Sequence, residues 1–398
     1  NDKMENARFL YLSGSWNGYN TVKKNQGSWQ FGQEGGTALL PDAKENTVGN
    51  PDVTWETVAK QNYGIDLKMF DSRLSFTADI FFEKRKDILS TRNTLPTITD
   101  IQLPKINLGK VNNHGYELSL GWNDRAGKVN YWVKANMSYA KNKIIYMDEV
   151  VPNEPYMAET GRSTGLNYGY LFDRFLQKDD FDADGKLKVD ANGEQILPKM
   201  SLGTPRPGDT LFKDLNGDGV IDGDDKTYFG YARHPEYVFG FLGGFSWKNF
   251  EFSMQWTAAM NASRILEGEY RNAFGSTNSR MLLKFLADGR WTEENPCSRF
   301  PRLTFMNKTH YLEDTDLWLM NGSYLRLKTA EISYTFQNKD FLKKIGVESV
   351  RLYCNGYNLL TLFSDLNDID IDPEGKTSGG DNTYPNVRIY NFGINVSF

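Results

Sequence analysis

The sequence predicts an all-β fold, an antiparallel sheet of the transmembrane β-barrel type with long loops at one end. Three observations support this prediction. Apolar and polar residues alternate through many segments, aromatic residues make up 14% of the chain, and tight turns alternate with long connections. Hydrophobic residues reach only 39%. A chain that is polar on average but rich in tyrosine and phenylalanine suits a sheet with one wet face.

Strict alternation of apolar and polar residues indicates β-strands. From Leu74 to Phe82 every second residue is apolar, and the residues between them are mostly polar. Within Tyr324–Phe336 the apolar phase shifts between Leu327 and Ile332, which predicts a β-bulge. About nine strands are predicted in this way. The clearest segments are 62–69, 73–83, 116–122, 131–139, 237–247, 250–257, 324–336 and 390–398, and one more strand is expected near residues 8–18.

The connections between these strands come in two sizes that alternate along the chain. Phe70–Ser72 and Lys248–Asn249 read as tight turns, and Asn123–Gly127 reads as slightly longer. The long connections are 86–113, 147–235, 262–322 and 364–384. Short turns on one side and long loops on the other are typical of a bacterial outer-membrane barrel. A large soluble all-β protein is the alternative, but it would not separate its loops by length so consistently.

Composition excludes several other classes of protein. The net charge is −5, with 46 basic and 51 acidic side chains, so the basic excess of a nucleic-acid-binding protein is missing. No stretch is long and apolar enough for a transmembrane helix. Two cysteines cannot form a disulfide framework. The start at Asn1 has no basic segment followed by an apolar one, so either the chain is not exported or it is an internal-to-C-terminal piece of a longer protein.

Several segments resemble SusC/RagA-type TonB-linked outer-membrane transporters. The resemblance implies a plugged barrel of about 22 strands, of which this chain would supply about ten, as the C-terminal part of the barrel, 1–398. It also implies nutrient import with a SusD-like surface lipoprotein and TonB as partners, and a glycan or an oligopeptide as cargo, the glycan being favoured. The segments are 49–89, 107–122, 207–256, 321–336, 350–362, 371–374 and 384–398, and a signal peptide, a TonB box and a plug domain are not recognised in the chain.

One acidic loop has the spacing of a calcium-binding loop. Oxygen ligands at positions 1, 3, 5, 7, 9 and 12, with glycine at position 6, are what Ca²⁺ requires of such a loop. The aspartate at position 12 is shorter than the usual glutamate, and a solvated Asn-Gly/Asp-Gly turn is the alternative. A second acidic run, Asp180–Gly185, is expected to be a solvated turn. The candidate ligands are Asp214, Asn216, Asp218, the Val220 carbonyl, Asp222 and Asp225.

No pattern in the sequence indicates catalysis, so the chain is not expected to be an enzyme. The three histidines, His114, His234 and His310, are far apart along the chain and lack the spacing of zinc ligands. A soluble, calcium-dependent carbohydrate-binding or dockerin-like module is the alternative function. Loop aromatic residues could stack on sugar rings or pack within the loops, and packing is favoured. These residues are Tyr168, Tyr170, Phe172, Trp291 and Trp318.

Overall fold

The computed structural model describes most of the chain. The described residues are 50–94, 104–200, 203–274, 282–305, 313–337, 342, 344, 346–375, 377 and 386–398, together with the short pair of strands Trp29–Gln30 and Leu39–Leu40. The strand expected near residues 8–18 lies outside them.

Nine antiparallel strands form one sheet in which each strand pairs with the next one along the chain. The sheet is therefore a meander, in which each connection, short or long, joins two antiparallel neighbours. The strands are β1 (Thr57–Met69), β2 (Leu74–Ser90), β3 (Ile106–Ala126), β4 (Val129–Tyr146), β5 (Tyr237–Trp247), β6 (Phe250–Met260), β7 (Tyr324–Gln337), β8 (Ser349–Leu362) and β9 (Ile389–Ser397).

The register places most of the apolar residues of the nine strands on one face. One row across the sheet, for example, joins Tyr63, Ile80, Tyr116, Tyr139 and Tyr237 through direct cross-strand pairs. Side chains of this face remain exposed to the surroundings, as they are along β9. Because each step along a strand reverses the side, the opposite face carries the polar residues. The sheet therefore has one apolar and one polar face.

The tight turns occur where the sequence predicts them. Phe70, Asp71 and Ser72 all have positive φ, and the Arg73 backbone N–H donates to the Phe70 carbonyl at 3.1 Å. The third turn is shorter than expected, since β3 continues to Ala126 and only Gly127 and Lys128 separate it from β4. The expectation of a long connection over 86–113 is wrong in extent, because much of that range extends β2 and β3.

The predicted bulge in β7 is confirmed. The pairing of β7 shifts opposite β6, where Trp256 pairs with Leu327 and Gln255 pairs with Thr329, so Lys328 is an extra residue without a direct partner there. The extra residue explains why the apolar phase of the sequence changes at this point. At the two edges, β1 pairs only with β2 and β9 only with β8 among the described strands. The sheet is therefore an open portion of a barrel wall.

The long loops fold together into a unit that we call the loop cap: the described residues of 147–236, 261–323 and 363–388. Two buried clusters form its interior. One contains Leu266, Leu286, Phe300, Trp318 and Leu366, and the other contains Tyr170, Leu176, Leu211, Phe212 and Ile221. Its short strands are Asn167–Tyr170 with Lys226–Phe229, Phe172–Phe175 with Thr210–Phe212, Lys199–Met200 with Val220–Ile221, and Ser263–Ile265 with Leu319–Asn321.

Helical structure in the described residues is confined to short segments of the loop cap. The α-helix is Lys284–Asp288, and 3₁₀ turns occupy Pro155–Met157, Lys178–Asp180, Gly223–Asp225, Gly268–Tyr270, Asp316–Trp318 and Asp365–Ile369. Within the described part of the chain, no helix has both the length and the apolar character needed to cross a membrane.

Candidate functional site

Charged side chains on the polar face of the sheet form salt bridges and hydrogen bonds between neighbouring strands. Lys60 Nζ lies 2.7 Å from Glu83 Oε1, and Asn113 Nδ2 donates to Glu83 Oε2 at 3.4 Å. At the other edge, Glu331 forms a salt bridge with Arg351 and accepts from Asn355 Nδ2 at 3.1 Å. Such pairs satisfy charges on a surface that is in contact with water. The polar face is thus suited to line an aqueous interior.

Aromatic side chains on the polar face lie over glycines of the neighbouring strand. Trp132 covers Gly244 and Tyr353 covers Gly393, and in both cases the two residues are direct cross-strand partners. A β-carbon at Gly244 would come within 2.4 Å of the Trp132 ring. These glycines let large rings lie flat on the wall, where an upright ring would project into the interior.

A pocket of about 810 Å³ lies at the loop ends of β2, β3 and β4, and we call it the rim pocket. Its wall combines these strand ends with two loop segments, 161–166 and 230–236. The size is within the range of sites for small ligands. The charged and titratable residues that line it are Glu56, Glu83, Arg85, His114, Lys141, Lys143, Arg162, His234 and Glu236.

The acids of the rim pocket are all paired. Glu56 Oε1 lies 3.1 Å from Arg85 Nη1, and Glu236 Oε1 lies 3.0 Å from Lys141 Nζ. Glu83 is paired with Lys60, as described above. Two basic side chains of the lining, Lys143 and Arg162, form no salt bridge with any described residue. The lining therefore has two basic side chains that no salt bridge neutralises.

Arg162 is held in place by backbone carbonyls and an aromatic ring, none of which is an acid. Its Nε donates to the Ala158 carbonyl at 2.8 Å and its Nη2 donates to the Tyr156 carbonyl at 2.7 Å. The guanidinium also lies over the Tyr228 ring, 5.1 Å from the centroid. Desolvation by burial raises the pKa of Tyr228 to about 12, so the ring stays neutral and gives no counter-charge at neutral pH.

The acidic loop is ordered by its own hydrogen bonds. Asp214 Oδ1 and Oδ2 accept from the backbone N–H groups of Gly217 and Gly219 at 2.6 and 2.8 Å. Gly219, at position 6 of the loop, has a φ of +81°, as a sharp turn requires. Asp218 Oδ1 accepts from Val220 N–H at 2.8 Å. The first half of the loop therefore presents consecutive side-chain oxygens from one turn.

The end of the same loop is closed by Asp225, which is fully buried. Its two carboxylate oxygens accept from the backbone N–H groups of Leu215 and Asp222 at 2.7 and 2.9 Å. Within the described ranges, no group of three or more His, Cys, Asp or Glu side chains is close enough to hold a metal ion. The donor set of the loop, carboxylate, amide and carbonyl oxygens, is nevertheless the chemistry that Ca²⁺ prefers. The calcium site stays a prediction.

The second acidic run forms a solvated turn, as expected. Asp182 Oδ1 accepts from the backbone N–H groups of Asp184 and Lys186 at 3.0 and 2.8 Å. Asp180 instead belongs to the cap interior, where it pairs with Arg174 at 2.6 Å. Burial opposes its ionisation, but the Arg174 guanidinium and the Gln177 N–H hold the pKa of Asp180 below its usual range.

Most of the loop aromatics pack inside the cap and do not face a ligand. Tyr170 stacks on Phe212 with 4.7 Å between ring centroids, and Trp318 stacks on Phe300 at 5.5 Å. Trp291 is also buried, whereas Tyr168 keeps 36% of its surface exposed and contacts Tyr228. The packing interpretation is confirmed for Tyr170, Trp291 and Trp318.

Comparison with known proteins identifies the family to which this two-faced sheet belongs. Residues 12–359 match the family described as "TonB dependent receptor-like, beta-barrel". The chain belongs to the TonB-dependent receptor β-barrel family. Such receptors are outer-membrane proteins, so the apolar face of the sheet contacts lipid and the polar face lines the barrel interior. The alternative of a soluble calcium-dependent module is therefore wrong.

The relatives of this TonB-dependent receptor chain are about three times its length. "TonB-dependent receptor P3" of Formosa agariphila is 27% identical over 91% of this chain and 36% of its own length. "TonB-dependent receptor SusC" of Bacteroides thetaiotaomicron is 23% identical over 88% of this chain and 32% of its own. The chain spans about a third of each.

A solved structure shares the fold of this receptor chain. The structure described as the "RagAB peptide transporter" superposes with a TM-score of 0.65 at 23% sequence identity, and the match covers 94% of this chain and 38% of that chain. The match to SusC and this structural likeness confirm the resemblance to SusC/RagA-type transporters.

The rim pocket is the part of the candidate site that the sequence did not reveal. His114 and His234, which are far apart along the chain, both line it. Its parts come from strand ends and loops separated by more than a hundred residues. The order of the strands could have predicted that their loop ends meet at one rim, because consecutive strands of a meander are neighbours. To predict which residues line the pocket would also have required the register of every strand.

Proposed function

We propose that this chain is the C-terminal portion of the barrel of a nutrient importer that works with a SusD-like surface lipoprotein and depends on TonB. The chain takes part in transport and not in catalysis. The single observation that supports this most is the nine-stranded wall with an apolar outer face and a charged, polar inner face. A wall of this kind, capped by folded loops, suits a barrel that admits large polar solutes.

The cargo is a glycan or an oligopeptide. The glycan interpretation is supported by the match to "SusC", and the peptide interpretation by the likeness to the "RagAB peptide transporter". The buried positions of Tyr170, Trp291 and Trp318 remove three of the aromatic platforms on which sugar rings would stack. Both cargo classes therefore enter the test on equal terms.

Deletion of the gene in its native host tests the import function. The deletion strain should lose growth on one glycan or one peptide source, and the full-length gene should restore it. Depletion of TonB should abolish uptake of the same nutrient, because transport requires energy from the inner membrane. Uptake that continues without TonB, or growth of the deletion strain on every source tested, would contradict the proposal.

We further propose that the acidic loop binds Ca²⁺ through Asp214, Asn216, Asp218, the Val220 carbonyl, Asp222 and Asp225. The ion would pin the loop, whose residue Ile221 is fully buried in the second cluster of the cap. The support is the turn in which Asp214, Asn216 and Asp218 already present their oxygens in sequence.

Proteolysis tests the calcium proposal. In the presence of Ca²⁺, Asp218→Ala should be cleaved faster within residues 203–235 than the wild type, and a chelator should remove the difference. Asp184→Ala, in the second acidic run, is the matched control and should behave like the wild type. If chelator leaves the cleavage of wild type and of Asp218→Ala unchanged and equal, the loop does not hold calcium.

A further inference from the structure

We infer that the rim pocket is an anion-binding site that recognises a carboxylate-bearing segment of the cargo. This inference rests on the proposed import function, because it names the chemical class of what the barrel takes up. It follows from the charge balance of the pocket, from the way Arg162 is held, and from the polar donors beside it.

The charge balance favours an anion. The chain as a whole has a net charge of −5, yet four lysine or arginine residues and only three glutamates line the rim pocket. Each glutamate already has a basic partner within 3.1 Å, and one of these partners, Lys60, comes from outside the lining. Lys143 and Arg162 therefore form no salt bridge with a described residue. An anion that enters the pocket would give them a partner.

Arg162 is prepared for recognition before any ligand arrives. Two backbone carbonyls and the face of Tyr228 fix its guanidinium, and they occupy Nε and Nη2. Its remaining nitrogen, Nη1, has no hydrogen bond to a described residue. Because the side chain is already ordered, little conformational entropy is lost when it binds. A planar guanidinium is also the best match for a carboxylate or sulfate group.

Polar neighbours of these two cations complete the site. Ser163 Oγ donates to the Asn142 carbonyl at 2.8 Å, and the Thr164 N–H donates to Asn142 Oδ1 at 2.7 Å. These bonds fix the segment 161–166 against β4, directly beside Lys143. Asn113 and His114 add further hydrogen-bonding groups to the wall. An aromatic platform is limited to Tyr231, so the lining suits charge recognition better than ring stacking.

The carboxylate can come from two sources: a uronic acid of a glycan or the free end of a peptide. Two matched pairs of probes separate them. One pair is trigalacturonate and its fully methyl-esterified form, and the other is trialanine with a free or an amidated C-terminus. Binding is measured by calorimetry on the complete transporter, purified in detergent with its lipoprotein partner.

The wild type should bind the acid form of one pair about ten-fold more tightly than its neutral form, as expected for a charge-assisted contact. Lys143→Gln should lose that preference without weaker binding of the neutral form, and Lys143→Arg should keep it. Lys178→Gln, which removes an exposed lysine elsewhere on the loop cap, is the control and should match the wild type.

The pair that shows the preference identifies the source of the carboxylate. Equal affinity within both pairs for the wild type would overturn the inference, and so would an unchanged preference in Lys143→Gln. Because the measurement is binding and not uptake, a transporter that imports cargo but shows no preference for acid forms contradicts the anion site alone. The import function would stand in that case.

Discussion

Asp209 forms a buried ion pair with Arg302 in the loop cap. Its side chain has no exposed surface, and its Oδ1 lies 2.7 Å from Arg302 Nε while Oδ2 accepts from the Arg206 N–H. The Arg302 N–H also donates to the Gly208 carbonyl at 3.0 Å. One ion pair thus joins the loop after β4 to the loop after β6, and its loss leaves a charge without a partner inside the cap.

Arg302→Met should destabilise the loop cap by about 3–5 kcal/mol, because Asp209 would then be buried without its counter-charge. Limited proteolysis of the full transporter measures this as faster cleavage within 203–212. The double variant Arg302→Met/Asp209→Asn should recover part of the loss, since the unpaired charge is gone. Lys178→Met, from an exposed pair with Glu293, should change little. Equal effects of Arg302→Met and Lys178→Met would show that the buried pair is not needed.

The titration of two buried tyrosines can be used to test how the loop cap is packed. Desolvation by burial raises the pKa of Tyr170 and of Tyr228 to about 12, against 10 for an exposed tyrosine. A raised pKa means that the folded cap favours the neutral phenol. This contribution to stability is complete below pH 10 and is lost as the pH rises to about 12.

A spectrophotometric titration of tyrosinate should therefore show a late component near pH 12 that Tyr170→Phe and Tyr228→Phe each reduce. Proteolytic cleavage of the cap should accelerate over the same range of pH. If all tyrosines titrate together near pH 10, with no late component, the two rings are not shielded as the structure has them.

At the scale of single strands, the sequence was sufficient for most of the sheet. A strand offers only two faces, so alternation assigns most residues of β1 and of β2 up to Arg85 to lipid or to the interior, and the phase shift at Leu327 marks the bulge. The ends of strands were less predictable. Beyond Arg85 the pairing of β2 with β3 becomes irregular, so alternation no longer fixes which side a residue faces.

Some glycines on the polar face lie at positions where the neighbouring strands leave no room for a β-carbon. A β-carbon at Gly244 would lie 2.6 Å from the Phe252 carbonyl oxygen and 2.4 Å from the Trp132 ring. The first of these contacts is with backbone and cannot be relieved by a change of rotamer. At Gly240, four residues earlier in β5, the nearest atom is the terminal oxygen of Asn136, which can rotate away.

Gly244→Ala should therefore impair the assembly of β5 with β6, at a cost of about 1–3 kcal/mol typical of overpacking. Gly240→Ala, in the same strand and on the same face, should be tolerated. The measurement is the fraction of full-length protein, extracted from the outer membrane, that remains folded when unheated samples are run on SDS gels. The same yield for both variants would mean that the wall adjusts around Gly244.

At the scale of the whole molecule, the candidate site was harder to predict than the fold. Repeated alternation is enough to predict the strands of the wall. The rim pocket, however, brings together residues as far apart in the chain as Glu56 and Glu236, and their proximity depends on the register of five strands and on two loop segments. The loop cap has the same character, since its clusters join residues such as Leu266 and Leu366 that lie in different connections. Their contacts depend on tertiary packing for which short-range periodicity carries no signal.

At the same scale, β9 tests which face of the sheet meets the membrane. Phe392 projects from the lipid face and is 82% exposed, whereas its neighbour Asn391 lies on the polar face and donates to Asn355 Oδ1 at 3.0 Å. Phe392→Lys should lower the level of the full transporter in the outer membrane, because a lysine on the lipid face costs about 2–4 kcal/mol at the bilayer midplane. Asn391→Lys is the matched control and should be tolerated, since its charge stays in the aqueous interior. Equal losses for the two variants on immunoblots of outer-membrane fractions would contradict the assignment of the two faces.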